Sequence, residues 1–264
     1  MKKIKIFSII LFICSAAVYA GCRIYDRVMT DHTPPVISGV ETIQMSVEDP
    51  EEKLLEGMTV EDDRDGDVTD SLVVQKISEF DGEGRRTVTY AAVDNSGNVG
   101  YYNRTLEYTD YSQPTFAMSA PLRFPMGASF NVCQGISAGS VLDGDISNQI
   151  KYTLDSMIST AAPGTYQVEF RVTDSAGTTS YLTTELEVYD PSEEQIEVTL
   201  SDYLVYIGRG SDFNPEDYYQ DADAEGDLDI ESTVNTSEAG TYCVDYTVSA
   251  GNMSGKSRLV VVVN

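Results

Sequence analysis

Residues 61–70 read EDDRDGDVTD, six acids and one glycine in ten positions. Carboxylates at alternate positions beside a glycine suit calcium, a hard cation that gathers oxygen ligands from a sharply turning loop. An EF-hand loop sets oxygens at positions 1, 3 and 5, a glycine at 6 and a bidentate Glu at 12. With Gly66 at position 6, Glu61, Asp63 and Asp65 meet the first requirement, but Leu72 falls at position 12 and cannot ligate. The EF-hand is excluded. Two readings stay open: a plain turn, or a weak calcium site made by this loop and a neighbouring turn.

Other chemistry is scarce. The one histidine, His32, lies in TDHTPPV ahead of the first predicted strand, so Ser-His or Cys-His catalysis has no base held by a folded scaffold. His32 and two distant body cysteines cannot assemble a four-ligand zinc site. No phosphate-cradling G-x-x-x-x-G-K-[ST] loop occurs. A carboxylate pair for glycoside hydrolysis is the catalytic option that the composition leaves, and small modules offer no obvious cleft for it.

Charge narrows the partners. The chain has 264 residues, 43 acids and 17 bases, for a net charge of −26. Residues 1–30 hold five bases and one acid, so 12 bases and 42 acids fall in the rest. A body that acidic repels nucleic acid and anionic lipid headgroups. It attracts divalent cations, although solubility alone accounts for an acid excess. An apolar content of 41% is enough for packed domains and too high for a disordered chain.

The N-terminus reads as an export device. Lys2, Lys3 and Lys5 precede an uncharged apolar run from Ile6 to Cys22, whose 17 residues are at the lower edge of a membrane-spanning length. Flanking lysines keep that side cytoplasmic, which places everything after Arg23 outside. An uncleaved anchor, a signal peptide cut after Ala20, and a lipoprotein signal ending at Cys22 all fit, with Tyr19 departing from the residue a lipobox prefers. Cys14 and Cys22 belong to this segment. Cys133 and Cys243 fall in different repeats of the body and are expected to be unpaired thiols.

The body is one unit written three times. G84-RRTVTYAAVDNSGN, G164-TYQVEFRVTDSAGT and G240-TYCVDYTVSAGNMS align from their first glycine. Val88, Tyr90 and Ala92 then match Val168, Phe170 and Val172, and Val244, Tyr246 and Val248. Period-two apolar positions make this a half-buried strand. The opposite face, including Cys243 and Asp245, is mostly polar and is expected to meet water. Asp94 and Asp174 cap the turns that follow, each with a glycine three residues on, while the third copy has Ala250 there. Returning strands at 105–110, 184–190 and 258–264 complete β-hairpins. Upstream, Gly66-Asp67, Gly144-Asp145 and Gly226-Asp227 recur at spacings of 78 and 82 residues. No segment reads as an amphipathic helix, and GVETIQMSVEDPEEKLLEGM is broken by Pro50 and Gly57.

These patterns predict an all-β chain of three tandem small β-sandwiches behind an N-terminal hydrophobic signal or anchor helix. The expected divisions are residues 1–30, 31–110, 111–191 and 192–264. TPPVI at 33–37, the D-x-D-G-D-V-T loop at Asp63–Thr69, GTYQVEFRVTDSAG at 164–177 and FNPEDYYQDAD at 213–223 together resemble the bacterial immunoglobulin-like domains found in tandem on surface proteins. The same family also occurs as modules in a class of pesticidal crystal toxins. The resemblance covers roughly residues 33–264. It implies a sandwich fold and a spacer, adhesive or accessory role, and no reaction.

The copies test the calcium reading internally. Asp63, Asp65 and Asp67 in the first have counterparts in Asp221, Asp223 and Asp227 of the third, with Glu225 among them. The second offers only Asp143 and Asp145 beside Gly139 and Val141. Gly-Asp alone recurs in all three, which is turn chemistry; a calcium site, if present, belongs to copies one and three. No other cofactor is expected.

The expected function is a non-enzymatic, membrane-tethered protein on the extracellular face, acting as a spacer or adhesive module for a surface protein or glycan. The alternative is an accessory subunit of a surface enzyme or transport complex. With no wall-sorting signal after Val260–Val263, the tether is expected at the N-terminus. Tyr101-Tyr102 and Tyr218-Tyr219 would serve a glycan if they formed a flat platform, and otherwise are core or linker packing.

Overall fold

The computed structural model describes residues 2–81 and 84–264, and the side chains of 6–25 within the N-terminal helix. That helix, α1 (Lys2–Met29), carries the apolar stretch Ile6–Tyr25, with a mean hydropathy of 1.9 and none of it buried. It is long and apolar enough to cross a membrane. Among the described residues every other regular element is a strand or a short 3-10 helix. The chain divides into two compact units, residues 1–110 and 111–264.

In the first unit, β1 (Val36–Ser38), β3 (Thr59–Asp62) and β4 (Gly66–Asp67) form one sheet. The other, in order β2-β7-β6-β5, comprises β2 (Thr42–Met45), β5 (Val73–Ile77), β6 (Arg86–Val93) and β7 (Val99–Tyr108). β2 runs parallel to β7, and the remaining pairs are antiparallel. The core comes from alternate residues: Ile37 and Val60 of one sheet meet Ile43, Val88, Tyr90 and Leu106 of the other. Each such side chain contributes roughly 1.5–3 kcal/mol by leaving water. Tyr90 is fully buried, so its hydroxyl needs an acceptor, and it donates to the Leu54 carbonyl at 2.7 Å. Pro50 and Gly57 bound the 3-10 turn Glu51–Leu55 that supplies this carbonyl.

The second unit repeats the plan twice. β8 (Thr115–Met118), β10 (Ile136–Ser140) and β11 (Gly144–Asp145) face β9 (Arg123–Pro125), β12 (Lys151–Leu154), β13 (Gly164–Thr173) and β14 (Thr179–Tyr189). β15 (Val198–Leu200) and β17 (Tyr219–Ala222) face β16 (Leu204–Ile207), β18 (Asp227–Ser232), β19 (Gly240–Ala250) and β20 (Met253–Val263). Val168, Phe170 and Val172 are buried, as are Val244, Tyr246 and Val248. Tyr246 repeats the Tyr90 device by donating to the Pro215 carbonyl at 2.7 Å.

Four expectations need correction. The returning strands begin well before 105, 184 and 258, because the hairpins close on loops of only a few residues. In the third copy the Asp-led loop is replaced by a two-residue connection between Ala250 and Met253, with Gly251 at φ 65°. The Gly-Asp pair is not one turn written three times. Gly66 and Gly144 have φ of 73° and 69°, the left-handed region that favours glycine. Gly226 does not, and a Cβ there would lie 2.4 Å from the Ser249 carbonyl oxygen, so close strand approach is what requires it. Lastly, the outer face of β19 does not simply meet water: Cys243 is half-buried and Asp245 lies against β20 and β14 side chains. Cys133 and Cys243 are free thiols.

Candidate functional site

The acid loop closes the β3–β4 hairpin of the first copy. Strand parity decides which acid turns inward: Val60 is fully buried, so Asp62, two residues on, points to the same side and is 7% exposed. Its Oδ1 accepts from Arg64 N and Asp65 N, both at 2.9 Å, and this shapes the loop. Asp31, in the segment just after α1, is 5% exposed and accepts from Thr33 N at 2.9 Å. Oxygens of Asp31, Asp62 and Asp63 lie within 4.8 Å of one another, and so do oxygens of Asp62, Asp65 and Asp94. Oδ2 of Asp31 and Oδ2 of Asp62 are buried without a hydrogen-bond partner. Among the described residues none of these five aspartates forms a salt bridge.

Of the sequence candidates, Asp63 and Asp65 join this group. Asp67 does not: it accepts from Thr69 N at 2.9 Å, and the Thr69 hydroxyl and then its amide hold the carboxyl below the usual range. In the third copy, Asp221 accepts from Ala222 N and Asp223 from Glu197 N, both at 2.8 Å. Among the described residues Asp221, Asp223 and Asp227 form no ligand group. The sequence reading missed Asp31, Asp62 and Asp94. Odd positions counted from Gly66 selected Glu61, Asp63 and Asp65, whereas the buried parity of Val60 selects Asp62.

A second concentration of charge lies in the second unit, between the second and third copies. Arg123 on β9 bonds Glu187 at 2.8 Å and Glu194 at 2.6 Å, and stacks 4.9 Å over the Tyr189 ring. Arg258 on β20 takes Asp245 through two nitrogens at 2.6 and 2.8 Å and Glu185 at 2.7 Å. A cleft of 620 Å³ beside it is bordered by Glu185, Cys243, Asp245 and Arg258. Burial alone would push the Asp245 carboxyl up, but Arg258 and Lys256 hold it below the ordinary range. Burial pushes the Cys243 thiol up. A general acid needs a raised carboxyl and a nucleophilic cysteine a lowered thiol, and the shifts of Asp245 and Cys243 run the other way.

One strip on the exposed side of the second copy is basic. Lys151, Arg171 and Tyr181 stand side by side across β12, β13 and β14, all three exposed, next to a depression of 400 Å³. Two bases directly opposite repel, and among the described residues neither has a salt-bridge partner. The tyrosine pairs form no platform. Tyr101 is 62% exposed, whereas Tyr102 on the opposite face of β7 packs toward the core and donates to Gly39 O at 3.1 Å. Tyr218 stacks on Phe213 with ring centres 5.6 Å apart.

Comparison with known proteins places the chain. It is 33% identical over 121 residues to the pesticidal crystal protein Cry22Aa of Bacillus thuringiensis, covering 44% of this chain and 16% of that protein. It is 26% identical over 170 residues to an 81.3 kDa protein of Acholeplasma phage L2, covering 62% of this chain and 23% of that one. The chain thus spans less than a quarter of the length of these relatives. Among solved structures, a Clostridium perfringens ZmpB structure of CBM51-2 with GlcNAc and INT domains aligns over 87% of this chain and 42% of that one, at 15% identity and a TM-score of 0.24. Residues 114–188 and 201–262, more than half of the chain, match the family described as bacterial surface protein, Ig-like domain. The strand alternation, the paired sheets and this match agree: the chain belongs to the bacterial surface protein Ig-like domain family.

Proposed function

We propose that this protein is a non-enzymatic module exported to the bacterial surface, tethered by α1 and acting as a spacer or adhesive unit. The observation that carries this reading is the pairing of an apolar helix, unburied over Ile6–Tyr25, with sandwiches of a surface-protein family. An unburied apolar helix needs a lipid environment, and a sandwich array outside it holds a binding face away from the membrane. Paired carboxylates offer no support for an enzyme, because Glu185, Glu187 and Asp245 are each engaged by arginine.

The face best suited to a ligand is the Lys151–Arg171–Tyr181 stripe, an exposed basic and aromatic strip on a chain of net charge −26. Arg pairs with carboxylate or sulfate in a forked geometry and Tyr offers a ring face to a sugar, so an anionic glycan is the ligand class. The test is binding of the full chain in detergent to a glycan array with neutral, uronic-acid and sulfated saccharides. Retention of anionic saccharides, with at least about tenfold loss in Arg171→Glu, is the expected result, each factor of ten being about 1.4 kcal/mol. Equal binding by Arg171→Glu would remove this face, and turnover of any saccharide would remove the non-enzymatic reading.

A further inference from the structure

We propose that the first copy holds one divalent cation, calcium by its ligand chemistry, among Asp31, Asp62 and Asp63. The ion fastens the segment after α1 to the loop end of the first sandwich.

Two independent observations carry this. First, the three carboxylates bring oxygens within 4.8 Å of one another, from positions 31 and 62–63 that are far apart in sequence. Second, Asp31 and Asp62 are each more than nine-tenths buried, and each keeps one oxygen, Oδ2, with no hydrogen-bond donor. On both residues Oδ1 already receives backbone N–H groups, so backbone bonding fixes the carboxylates in place and leaves the second oxygen over. Buried charges are normally paired or bound to metal, and among the described residues no lysine or arginine forms a salt bridge with either. Three like charges held this close repel until a cation lies between them.

The ion follows from the donor set. All donors are hard oxygens, which excludes cations that prefer thiolate or imidazole. Calcium accepts an irregular shell of about six to eight oxygens and completes it with water, whereas magnesium demands a near-ideal octahedron. Asp65 and Asp94 stand next to Asp62 and add negative potential. Each is already bonded by the 94–98 turn: Asp65 Oδ2 by Asn95 N at 2.9 Å, and Asp94 by Asn98 N at 2.8 Å and Asn98 Nδ2 at 2.6 Å. The ion therefore belongs with Asp31 and Asp62, whose Oδ2 atoms are buried without a hydrogen-bond partner, and with Asp63 beside them.

The experiment is isothermal titration of CaCl2 into the full-length, EDTA-stripped chain in detergent, beside Asp31→Asn, Asp62→Asn and Asp223→Asn. Asn keeps the Oδ1 acceptor that shapes each segment, and far-UV circular dichroism checks that each variant folds. One calcium per chain, with a Kd of about 0.1–1 mM as in extracellular modules, is expected. Binding weakens at least about tenfold in Asp31→Asn and Asp62→Asn and is unchanged in Asp223→Asn. The proposal is overturned by no saturable binding up to about 10 mM, by binding as tight as the unsubstituted chain's in Asp31→Asn or Asp62→Asn, or by loss in Asp223→Asn. Magnesium binding as tight as calcium would overturn the choice of ion.

Discussion

The first and second copies shape the same loop with different side chains. In the first, Asp62 Oδ1 accepts from Arg64 N and Asp65 N; in the second, Ser140 Oγ accepts from Leu142 N and Asp143 N at 3.1 and 3.3 Å. Asp65 accepts from Asn95 N and Asp143 from Ser175 N, at 2.9 and 2.8 Å. Thr69 and Ser147 close both loops identically, bonding Val60 N and Ala138 N. The frame is shared and the charge is not. Strand pairing sets Ile37 opposite Val60 and Phe116 opposite Ala138, so Asp63 corresponds to Val141 and Asp31 to Asp110. Asp110 is instead bonded to Ser46 Oγ at 2.5 Å and Val47 N at 2.9 Å. Asp174, the counterpart of Asp94, receives Tyr111 Oη at 2.7 Å. A neutral hydroxyl is thus sufficient for the loop, and the fold does not require the acids at 62 and 63.

The largest test of that shared frame is at the core. Tyr90→Ala and Phe170→Ala are each expected to cost about 3–5 kcal/mol in chemical denaturation, because both empty the same central strand position. A much smaller loss at either would show that the copies do not share a core plan. Asp62→Leu comes next, at about 1–3 kcal/mol, since it strips Arg64 N and Asp65 N of their acceptor. Asp62→Ser, which copies the second loop, is expected to cost under about 1 kcal/mol without calcium while abolishing any calcium-induced rise in Tm. A large cost for Asp62→Ser would mean that the carboxylate, not the acceptor, shapes the loop.

Acid separates the features the copies share from those only the second unit has. Asp67 and Asp145 are held below the ordinary carboxylate range by Thr69 and Ser147, and Asp245 and Glu187 by neighbouring cations despite burial. Depressed folded values mean that the unfolded chain binds more protons. The stabilisation is therefore full above the unfolded values of about 3.9 for Asp and 4.3 for Glu, and is lost as pH falls through the folded ones. Thermal melts from pH 7 to pH 3 should fall steeply at the acid end. The fall should lessen in Arg258→Ala, which already lacks the Asp245 and Glu185 pairs. An unchanged profile would remove that network as a source of stability. The smallest expected effect is Asp223→Asn, within about 0.5 kcal/mol, because an amide oxygen still accepts from Glu197 N.

The repeated strand was legible because period-two burial is written directly in Val88-Tyr90-Ala92 and its two counterparts. The short strands β2, β9 and β16 were not, since parallel pairing to a distant hairpin leaves no local turn signal. Cys243 and Asp245 were read as solvent-facing because a polar face looks the same whether it meets water or a charged neighbour such as Glu185 and Arg258. Two of the five acids were legible, Asp63 and Asp65, by composition. Asp31 was hidden because its partners lie about thirty residues on, and Asp62 because its inward parity shows only once Val60 is known to be core.

Hydrogen–deuterium exchange of the full chain in detergent, with calcium and with EDTA, compares the two loops in one sample. Calcium is predicted to slow exchange at residues 31–33 and 62–66 and to leave 140–144 and 174–178 unchanged. Equal slowing in both copies, or no slowing in the first, would contradict the assignment of the ion to Asp31, Asp62 and Asp63.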